Sequence, residues 1–369
     1  MSFFGDLYRG ATSVDFPRLW RKTIVLSAVL ILISVGALAT RGLNLGIDFE
    51  GGTSLEVRAD AGVSDVRDAM AAAGAPDARI QTVGSDTIRV RTSIDQRDAV
   101  LELRDALAAE VGVATEEVSV STVGPTWGDE ITDKAIRALI IFFVLIAIYI
   151  SIRLEWRMAV GALIAVVHDI VISVGVYALF QFEVTPATVI AFLTIMGYSL
   201  YDTMVVYDKV REISNRVGAT GRYTYTEMMN LGLNQVLARS INTTLTSVLP
   251  VLSMLLVGSL LLGAATLQEF AIALLVGLIV GGYSSLFVAS LVVALMKERE
   301  PQFVQLREKL DARGEGGETR MVTAEDAAVG ATPKRSIRAT SGGRETGRRP
   351  APGSGSGVIP PRPRKKRRR

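Results

Sequence analysis

Several titratable side chains lie inside long apolar runs of this sequence, where insertion scales put the cost of a charge at about 2.5–3.5 kcal/mol. Asp202 stands among leucine, tyrosine and valine in the stretch YSLYDTMVVYDK, and His168 and Asp169 are neighbours in an earlier run. A carboxylate in such surroundings gains or loses its proton when its hydration or its distance from a positive charge changes. Reversible protonation within a membrane is therefore the chemistry that these residues favour.

The pairing candidate for Asp202 lies in the stretch RSINTTLTSVLP, which begins with Arg239. This arginine starts a polar stripe with three- or four-residue spacing, as on one side of a helix. The other members of the stripe are Asn242, Thr243 and Thr246. Because polar stripes in membranes face protein or water, we expect this one to face Asp202 and Ser199, which lies one turn earlier on the same helix side. In the alternative, Arg239 extends to the lipid headgroups.

His168 and Asp169 allow two interpretations. They could relay protons, or they could form hydrogen bonds between helices that only fix the packing. Adjacent residues of an α-helix point about 100° apart, so the two side chains are not expected to share one face. Asp169 is the stronger functional candidate of the two.

Composition places the chain among membrane proteins. It has 369 residues, 49% of them hydrophobic, and a mean hydropathy of +0.35. It has no cysteine and a single histidine, which excludes disulfides, thiolate chemistry and a multi-histidine metal site. We expect no catalytic site, no metal and no cofactor, so the chain is not expected to be an enzyme.

Six apolar runs are long enough to cross the hydrocarbon core of a bilayer. They cover residues 23–40, 135–152, 158–180, 185–207, 241–262 and 267–296. The first could instead be a cleaved secretory signal, since basic residues precede it and ALA at 37–39 resembles a cleavage site. An uncleaved anchor is favoured, because the run is long for a signal core and five further runs follow.

The distribution of lysine and arginine predicts the orientation. These residues precede the first run, separate the second from the third, follow the fourth and fill the tail, so those segments are expected on the cytoplasmic side. Both termini are then cytoplasmic, including residues 1–22 at the beginning. Residues 134–298 form a five-helix membrane region whose amphipathic part, 209–238, is expected to lie along the inner surface.

Residues 41–133 are predicted to form an extracytoplasmic domain. Alternating residues at 53–59, 78–84, 86–92 and 116–124 indicate strands, and 64–74 and 95–112 indicate helices. The order βαββαβ is typical of a ferredoxin-like α+β fold. The segment has no histidine and no phosphate-binding loop, so a binding or mechanical module is favoured.

Two glycine-containing stretches connect this domain to the membrane. Gly51 and Gly52 in GIDFEGGT can adopt positive φ, and Gly124 and Pro125 in VGPT are expected to form the return joint. The joints are interpreted as structural; in the alternative, the acidic residues of GIDFEGGT bind a cation or a substrate.

The tail, residues 299–369, is predicted to be disordered and basic. Residues 297–369 contain 19 Lys and Arg against 9 Asp and Glu, and the chain ends in PRPRKKRRR. Such a tail could attract anionic lipid or the ribosome, although a solvated tail with no specific partner is favoured.

Several stretches carry a family resemblance. GIDFEGGT, VGPTWGDE, RLEWRMAVGALIAVVHD, GYSLYDTMVVYDKVRE and LARSINTTLTS resemble, in this order, the motifs of the SecF family of protein-export membrane subunits. The match covers roughly residues 20–298. One departure is Tyr201, at a position where the family usually has Asn.

The resemblance implies half of a transporter of the resistance-nodulation-division type in the bacterial inner membrane. Its partner SecD would supply six further spans, and the pair would act beside the SecYEG translocon, with YajC, to pull unfolded secretory polypeptides outward by the proton-motive force. The family pattern points to Asp202 and Arg239 as the charges that couple protons to export. A proton-driven exporter of small molecules and a passive translocon scaffold are the alternatives.

Overall fold

The computed structural model describes residues 12, 14–59, 61–84, 86–218, 222–261 and 265–312. Within them, six helices are long and apolar enough to cross a membrane, so the prediction of six spans is confirmed. They are Phe16–Arg41, Pro125–Arg153, Trp156–Phe180, Pro186–Arg216, Tyr225–Gly258 and Thr266–Lys297. Residues 313–369, most of the predicted disordered tail, lie outside the described residues.

In chain order, the α-helices are α1 (Phe16–Arg41), α2 (Ile47–Glu50), α3 (Val63–Ala72), α4 (Arg97–Val111), α5 (Pro125–Arg153), α6 (Trp156–Phe180), α7 (Pro186–Val217), α8 (Tyr225–Ser253), α9 (Ala265–Ser284), α10 (Ser290–Lys297) and α11 (Pro301–Ala312). A π-helical turn, Met254–Leu261, continues α8, and a second, Ser285–Ala289, joins α9 to α10. The strands are β1 (Asn44–Leu45), β2 (Gly52–Arg58), β3 (Arg79–Val83), β4 (Thr87–Thr92), β5 (Ser119–Val123) and β6 (Glu183–Val184).

Local sequence signals explain where the long helices begin. Thr185 and Thr188 form a reciprocal capping box at α7, and Thr224 and Glu227 form one at α8. Pro125 stands at the first turn of α5, where its missing N–H costs no helical hydrogen bond. Pro125 therefore starts a helix in addition to ending β5, and residues 125–133 belong to that helix and not to the domain that precedes it.

Small residues bring the membrane helices close together. A Cβ added at Gly175 of α6 would lie 2.0 Å from Ser34 Cβ of α1, and one at Gly277 of α9 would lie 2.3 Å from Ile195 Cγ2 of α7. A Cβ at Gly281 would likewise lie 2.7 Å from Ser199 Cβ. Helices α1, α6, α7 and α9 therefore pack at distances that only glycine allows. By contrast, few residues of α5 and α8 are buried along their membrane-crossing parts.

The prediction that residues 209–238 lie along a membrane surface is wrong. Helix α7 continues to Val217 and α8 begins at Tyr225, so the segment consists mainly of the ends of two long helices. Met228, Met229 and Leu233 are at most 1% exposed and belong to the main hydrophobic core. The apolar residues that suggested a surface helix instead pack inside the bundle.

Residues 52–123, here called the α+β segment, follow the order strand, helix, strand, strand, helix, strand. The sheet is antiparallel with strand order β3-β4-β2-β5. Leu55, Ile88 and Val90 are at most 1% exposed and pack with Leu103 and Leu107 of α4. Helices α3 and α4 thus cover one face of the sheet.

The other face of the sheet lies against one end of the membrane-helix bundle. This end of the bundle is called the α+β end. Strand β1 pairs in parallel with β6, between α6 and α7. At the opposite end, Lys297 pairs with Glu155 and Arg157 with Glu300. Helix α11 also lies there, with Phe303 packed on Tyr225. The prediction of a disordered tail from residue 299 is therefore wrong for residues 301–312.

Candidate functional site

Asp202 is buried midway along α7 and is held by hydroxyl groups. Ser240 Oγ of α8 donates to Asp202 Oδ1 at 3.0 Å, and Ser285 Oγ donates to Oδ2 at 2.6 Å. The residue is 8% exposed. Among the described residues, no lysine or arginine forms an ion pair with it. Neutral donors alone leave the charge of a membrane-buried carboxylate uncompensated.

Arg239 does not reach Asp202. Its side chain is exposed, and its Nη2 donates to Tyr201 Oη at 3.4 Å. Arg239 and Ser240 are neighbours on α8, and the bundle turns the serine inward and the arginine outward. The expected pairing of Arg239 with Asp202 is thus not made within this chain.

The polar stripe of α8 also faces away from Asp202, contrary to expectation. Thr243 Oγ1 donates to the carbonyl of Arg239 at 2.7 Å, and Thr246 Oγ1 donates to the carbonyl of Asn242 at 2.9 Å. These hydroxyls are satisfied within their own helix. Arg239, Asn242 and Thr246 are exposed and Thr243 is half-buried, so the stripe forms a polar band on the outer surface of the bundle.

Ser199 serves the other buried carboxylate, which corrects its assignment to the Asp202 face. Its Oγ donates to Asp169 Oδ2 at 2.8 Å, as does Ser284 Oγ of α9 at 2.8 Å. Asp169 is 6% exposed. A second hydroxyl-bound carboxylate therefore lies in the same helix bundle.

His168 and Asp169 do contact each other, so the argument that neighbours on a helix cannot share a site is wrong here. His168 Nδ1 lies 3.1 Å from Asp169 Oδ1, within hydrogen-bond distance. The other ring nitrogen lies 3.1 Å from Ser27 Oγ of α1. The pair therefore links α6 to α1 as well as to α7 and α9.

The predicted joints lie directly against each other. Gly51 and Gly52 have φ of 77° and 112°, as expected for a sharp turn. A Cβ at Gly51 would lie 3.0 Å from Pro125 Cα, and one at Gly52 would lie 2.3 Å from Thr92 O. Gly124 has an ordinary φ of −68° and open space around its Cα, so nothing in the structure requires glycine there.

A buried ionic cluster connects the α+β segment to the helix ends, and sequence patterns missed it. Arg89 of β4 pairs with Glu56 at 2.6 Å, with Glu183 at 2.8 Å and with Glu269 of α9. Arg91 lies 3.2 Å from Glu183. Burial lowers the pKa of the Arg89 guanidinium, but the carboxylates of Glu269, Glu56 and Glu183 raise it by more, so the pKa lies above its ordinary value.

The neighbouring Asp48 shows the same desolvation. Burial raises the pKa of its carboxyl, Glu183 raises it further, and Arg89 offsets part of the effect. Burial also lowers the pKa of Arg91. The cluster is therefore a partly dehydrated joint between the sheet and the membrane helices.

Family models match most of the membrane region. A model described as protein export membrane protein SecD/SecF, C-terminal, matches residues 104–299, and the SecD/SecF GG motif matches residues 36–63. The second match contains Gly51 and Gly52. The predicted joint thus coincides with a motif of the family.

Curated relatives carry the name protein translocase subunit SecF. The relative from Streptomyces coelicolor is 39% identical over 324 residues, which cover 87% of each chain. The relative from Mycobacterium tuberculosis strain CDC 1551 is 40% identical, over 81% of this chain and 70% of its own length.

Solved structures of SecDF share the fold. The crystal structure of SecDF, a translocon-associated membrane protein from Thermus thermophilus, gives a TM-score of 0.70 at 33% identity. The match covers 78% of this chain but 39% of the SecDF chain, so the present chain corresponds to well under half of that protein. With these matches and six membrane helices, the chain belongs to the SecF family of protein translocase subunits.

Proposed function

We propose that this multi-pass membrane protein acts in the export of unfolded secretory proteins and couples proton movement across the membrane to that export. One observation supports the proton coupling: Asp202 is buried at mid-helix, and the side chains that donate to it within the described part of the chain are the neutral Ser240 and Ser285, whereas Arg239 of α8 is exposed. A carboxyl group in such surroundings is either protonated or requires a positive charge from another group. Protonation of Asp202 is the step that we assign to the coupling.

The exposure of Arg239 supports the proposal that a partner chain packs against this surface. An arginine inside a membrane requires protein or water around it, and the α8 stripe with Tyr201 presents such a polar band on the bundle surface. The membrane-crossing parts of α5 and α8 also bury few residues within this chain. The SecDF structures join their SecF-like part to a longer chain. SecD is therefore the partner that we propose against this surface.

Proton entry would then drive helix movement. When Asp202 is protonated, the hydroxyl contacts suffice and α8 can keep Arg239 outside the bundle. When Asp202 is ionised, the arginine and the water around it are drawn toward the carboxylate. A membrane potential of 100 mV supplies about 2.3 kcal/mol per charge that crosses. Each proton could thus move α8 relative to α7 with roughly this free energy.

We assign the protein to the bacterial inner membrane with both termini in the cytoplasm. Arg157, Lys209 and Arg216 lie toward the end opposite the α+β segment, as the positive-inside rule expects of a cytoplasmic side. The α+β segment would then be an extracytoplasmic domain with a ferredoxin-like fold. On that side it would meet the polypeptide leaving SecYEG, with YajC as a further partner.

Asp202→Asn tests the proposal against a matched control on the same helix. The variant keeps the size of the side chain and removes its titration, whereas Asp208→Asn neutralises an exposed carboxylate further along α7. We expect Asp202→Asn to abolish the stimulation of preprotein export by the proton-motive force in membrane vesicles, and Asp208→Asn to retain it. Wild-type stimulation in Asp202→Asn would contradict the coupling and favour a passive scaffold.

Co-purification distinguishes the proposed function from the remaining alternative, a proton-driven exporter of small molecules. A tagged copy should bring down SecD and the translocon, identified by mass spectrometry. Recovery without SecD, together with proton-driven efflux of a small molecule, would favour an exporter.

A further inference from the structure

Asp169 and Asp202 are joined by two consecutive residues. Ser284 donates to Asp169 at 2.8 Å and Ser285 donates to Asp202 at 2.6 Å, at the point where α9 passes into a π-helical turn. Turns of this kind interrupt the regular hydrogen-bond ladder and are frequent at functional sites. One helix turn therefore contacts both buried carboxylates.

Each serine has a second acceptor within reach. Ser284 Oγ lies 3.2 Å from the carbonyl of Gly281, and Ser285 Oγ lies 3.3 Å from the carbonyl of Gly282. A hydroxyl has one proton to donate, so it chooses between the carboxylate and the backbone carbonyl. When a carboxyl oxygen takes up a proton, the serine hydroxyl can turn to its carbonyl without losing a hydrogen bond.

A cavity of about 230 Å³ leads to Asp169 from the α+β end. Leu43 and Val184 line its outer part, and Asp169 and Ser199 line its inner part. The rest of the lining is almost wholly apolar, so the serine hydroxyls and the His168 ring remain the polar partners of Asp169. Asp202 does not line this cavity.

The groups that face Asp169 come from each neighbouring helix. Helix α1 contributes Ser27 through His168, α7 contributes Ser199, and α9 contributes Ser284, whereas α5 contributes apolar side chains to the cavity. The titratable groups of this network are His168, Tyr283 and, across the serine pair, Asp202. Tyr283 Oη lies 2.9 Å from Ser27 Oγ and donates to the carbonyl of Thr23. Among the described residues, no lysine or arginine pairs with Asp169.

We propose that Asp169 is a second proton-binding group, linked to Asp202 by the Ser284–Ser285 turn. A proton taken up from the aqueous phase binds Asp169 Oδ2 and frees the Ser284 hydroxyl to donate to the carbonyl of Gly281. The resulting shift of the π-helical turn changes the contact of Ser285 with Asp202. This inference rests on the proposed proton coupling and adds to it a second site and a link between the two carboxyl groups.

Infrared spectroscopy of the full-length protein, co-expressed with its partner in lipid, tests the proposal directly. With ¹³C-labelled aspartate, each buried Asp that takes up a proton gives a carboxylic C=O band as the pH is lowered. The wild type is expected to show two such bands. Asp169→Asn should lose one band and shift the titration of the other, and Asp202→Asn should lose the remaining band.

Ser284→Ala keeps both carboxyl groups and removes one donor. It should retain both bands and move the titration of Asp169, whereas Ser290→Ala, whose hydroxyl donates to the carbonyl of Leu286, should leave the spectrum unchanged. If Asp169→Asn shows the same buried bands as the wild type, or Ser284→Ala shifts neither band, the second site is overturned.

The export assay of Asp202→Asn remains independent of these spectra, so failure of the coupling and failure of the second site are distinguishable.

Discussion

Arg239 and Tyr201 face each other across the surface of α7 and α8, with the guanidinium Nη2 3.4 Å from the phenolic oxygen. Both side chains are exposed in this chain, although both lie on helices that cross the membrane. Tyr201 directly precedes Asp202, and Arg239 directly precedes Ser240, the hydroxyl donor of that carboxylate. The exposed pair and the buried pair are therefore one residue apart on each helix, and a rotation of α8 by about 100° would turn Arg239 toward Asp202 in place of Ser240.

The first prediction concerns the arginine. Arg239→Lys keeps the charge but loses the planar fork that binds two acceptors at once, so we expect weaker proton-stimulated export with normal SecD assembly. Tyr201→Phe removes a long, exposed hydrogen bond and should change export little. Export rates in energised vesicles check both, with Arg211→Lys on the exposed end of α7 as control. If Arg239→Lys exports at the same rate as Arg211→Lys, the guanidinium of Arg239 is not required for proton coupling.

The second prediction concerns the joint. Gly51 has a φ of 77° and lies against Pro125, so Gly51→Val should destabilise this turn by more than about 1 kcal/mol and slow export while membrane insertion stays normal. Gly124→Ala is the matched control, because its backbone is ordinary and its surroundings are open. Export kinetics and membrane fractionation measure both effects. Equal export rates in the two variants would show that the joint does not transmit motion.

The third prediction concerns helix packing. A Cβ at Gly175 would meet Ser34 at 2.0 Å, so Gly175→Ala should cost about 1–3 kcal/mol and lower the thermal midpoint in detergent. Gly197 of α7 has nothing within 4 Å of its Cβ position, and there alanine should stabilise the helix by about 0.5–1 kcal/mol. Two midpoints that move in the same direction would contradict this interpretation of the α1 and α6 contact.

The number of membrane helices follows from the sequence because a bilayer fixes the length of an apolar run. Which side of each helix faces the core does not follow, because neighbouring residues are turned inward or outward by packing. The α8 stripe was expected to face Asp202, yet Ser240 occupies that position and Arg239 lies outside. The consecutive serines Ser284 and Ser285 in an apolar run were the sequence signal for the site, and it was overlooked.

The ionic cluster shows a similar limit. Alternation in DTIRVRT correctly indicates a strand, and such a pattern normally turns its arginines to water. Arg89 and Arg91 are instead 7% and 5% exposed, because the helix ends bring Glu183 and Glu269 to that face. Glu183 and Glu269 are separated from Arg89 by 94 and 180 positions in the sequence, so no local pattern around Arg89 can predict its burial.

The fourth prediction concerns orientation. The chain has no native cysteine, so Asp98→Cys on the exposed side of α4 and Glu308→Cys on α11 give single labels in the two regions. An impermeant thiol reagent should label position 98 in cells whose outer barrier is permeabilised, and position 308 only after the inner membrane is opened. Labelling of 308 without labelling of 98 in intact inner membranes would reverse the proposed topology.

The last prediction concerns Asp48, whose pKa is raised by burial and by Glu183. A carboxyl with a raised pKa binds its proton more tightly in the folded than in the unfolded state, so ionisation lowers stability as the pH rises above its ordinary value. Asp48→Asn removes this loss. The variant should therefore have a higher thermal midpoint than the wild type at neutral pH, and the difference should shrink as the pH is lowered toward the ordinary aspartate value. Glu102→Gln, which neutralises an exposed carboxylate of α4, should leave the pH dependence of the midpoint as in the wild type. If the difference in thermal midpoint between Asp48→Asn and the wild type is the same at both pH values, ionisation of the Asp48 carboxyl does not destabilise the folded protein.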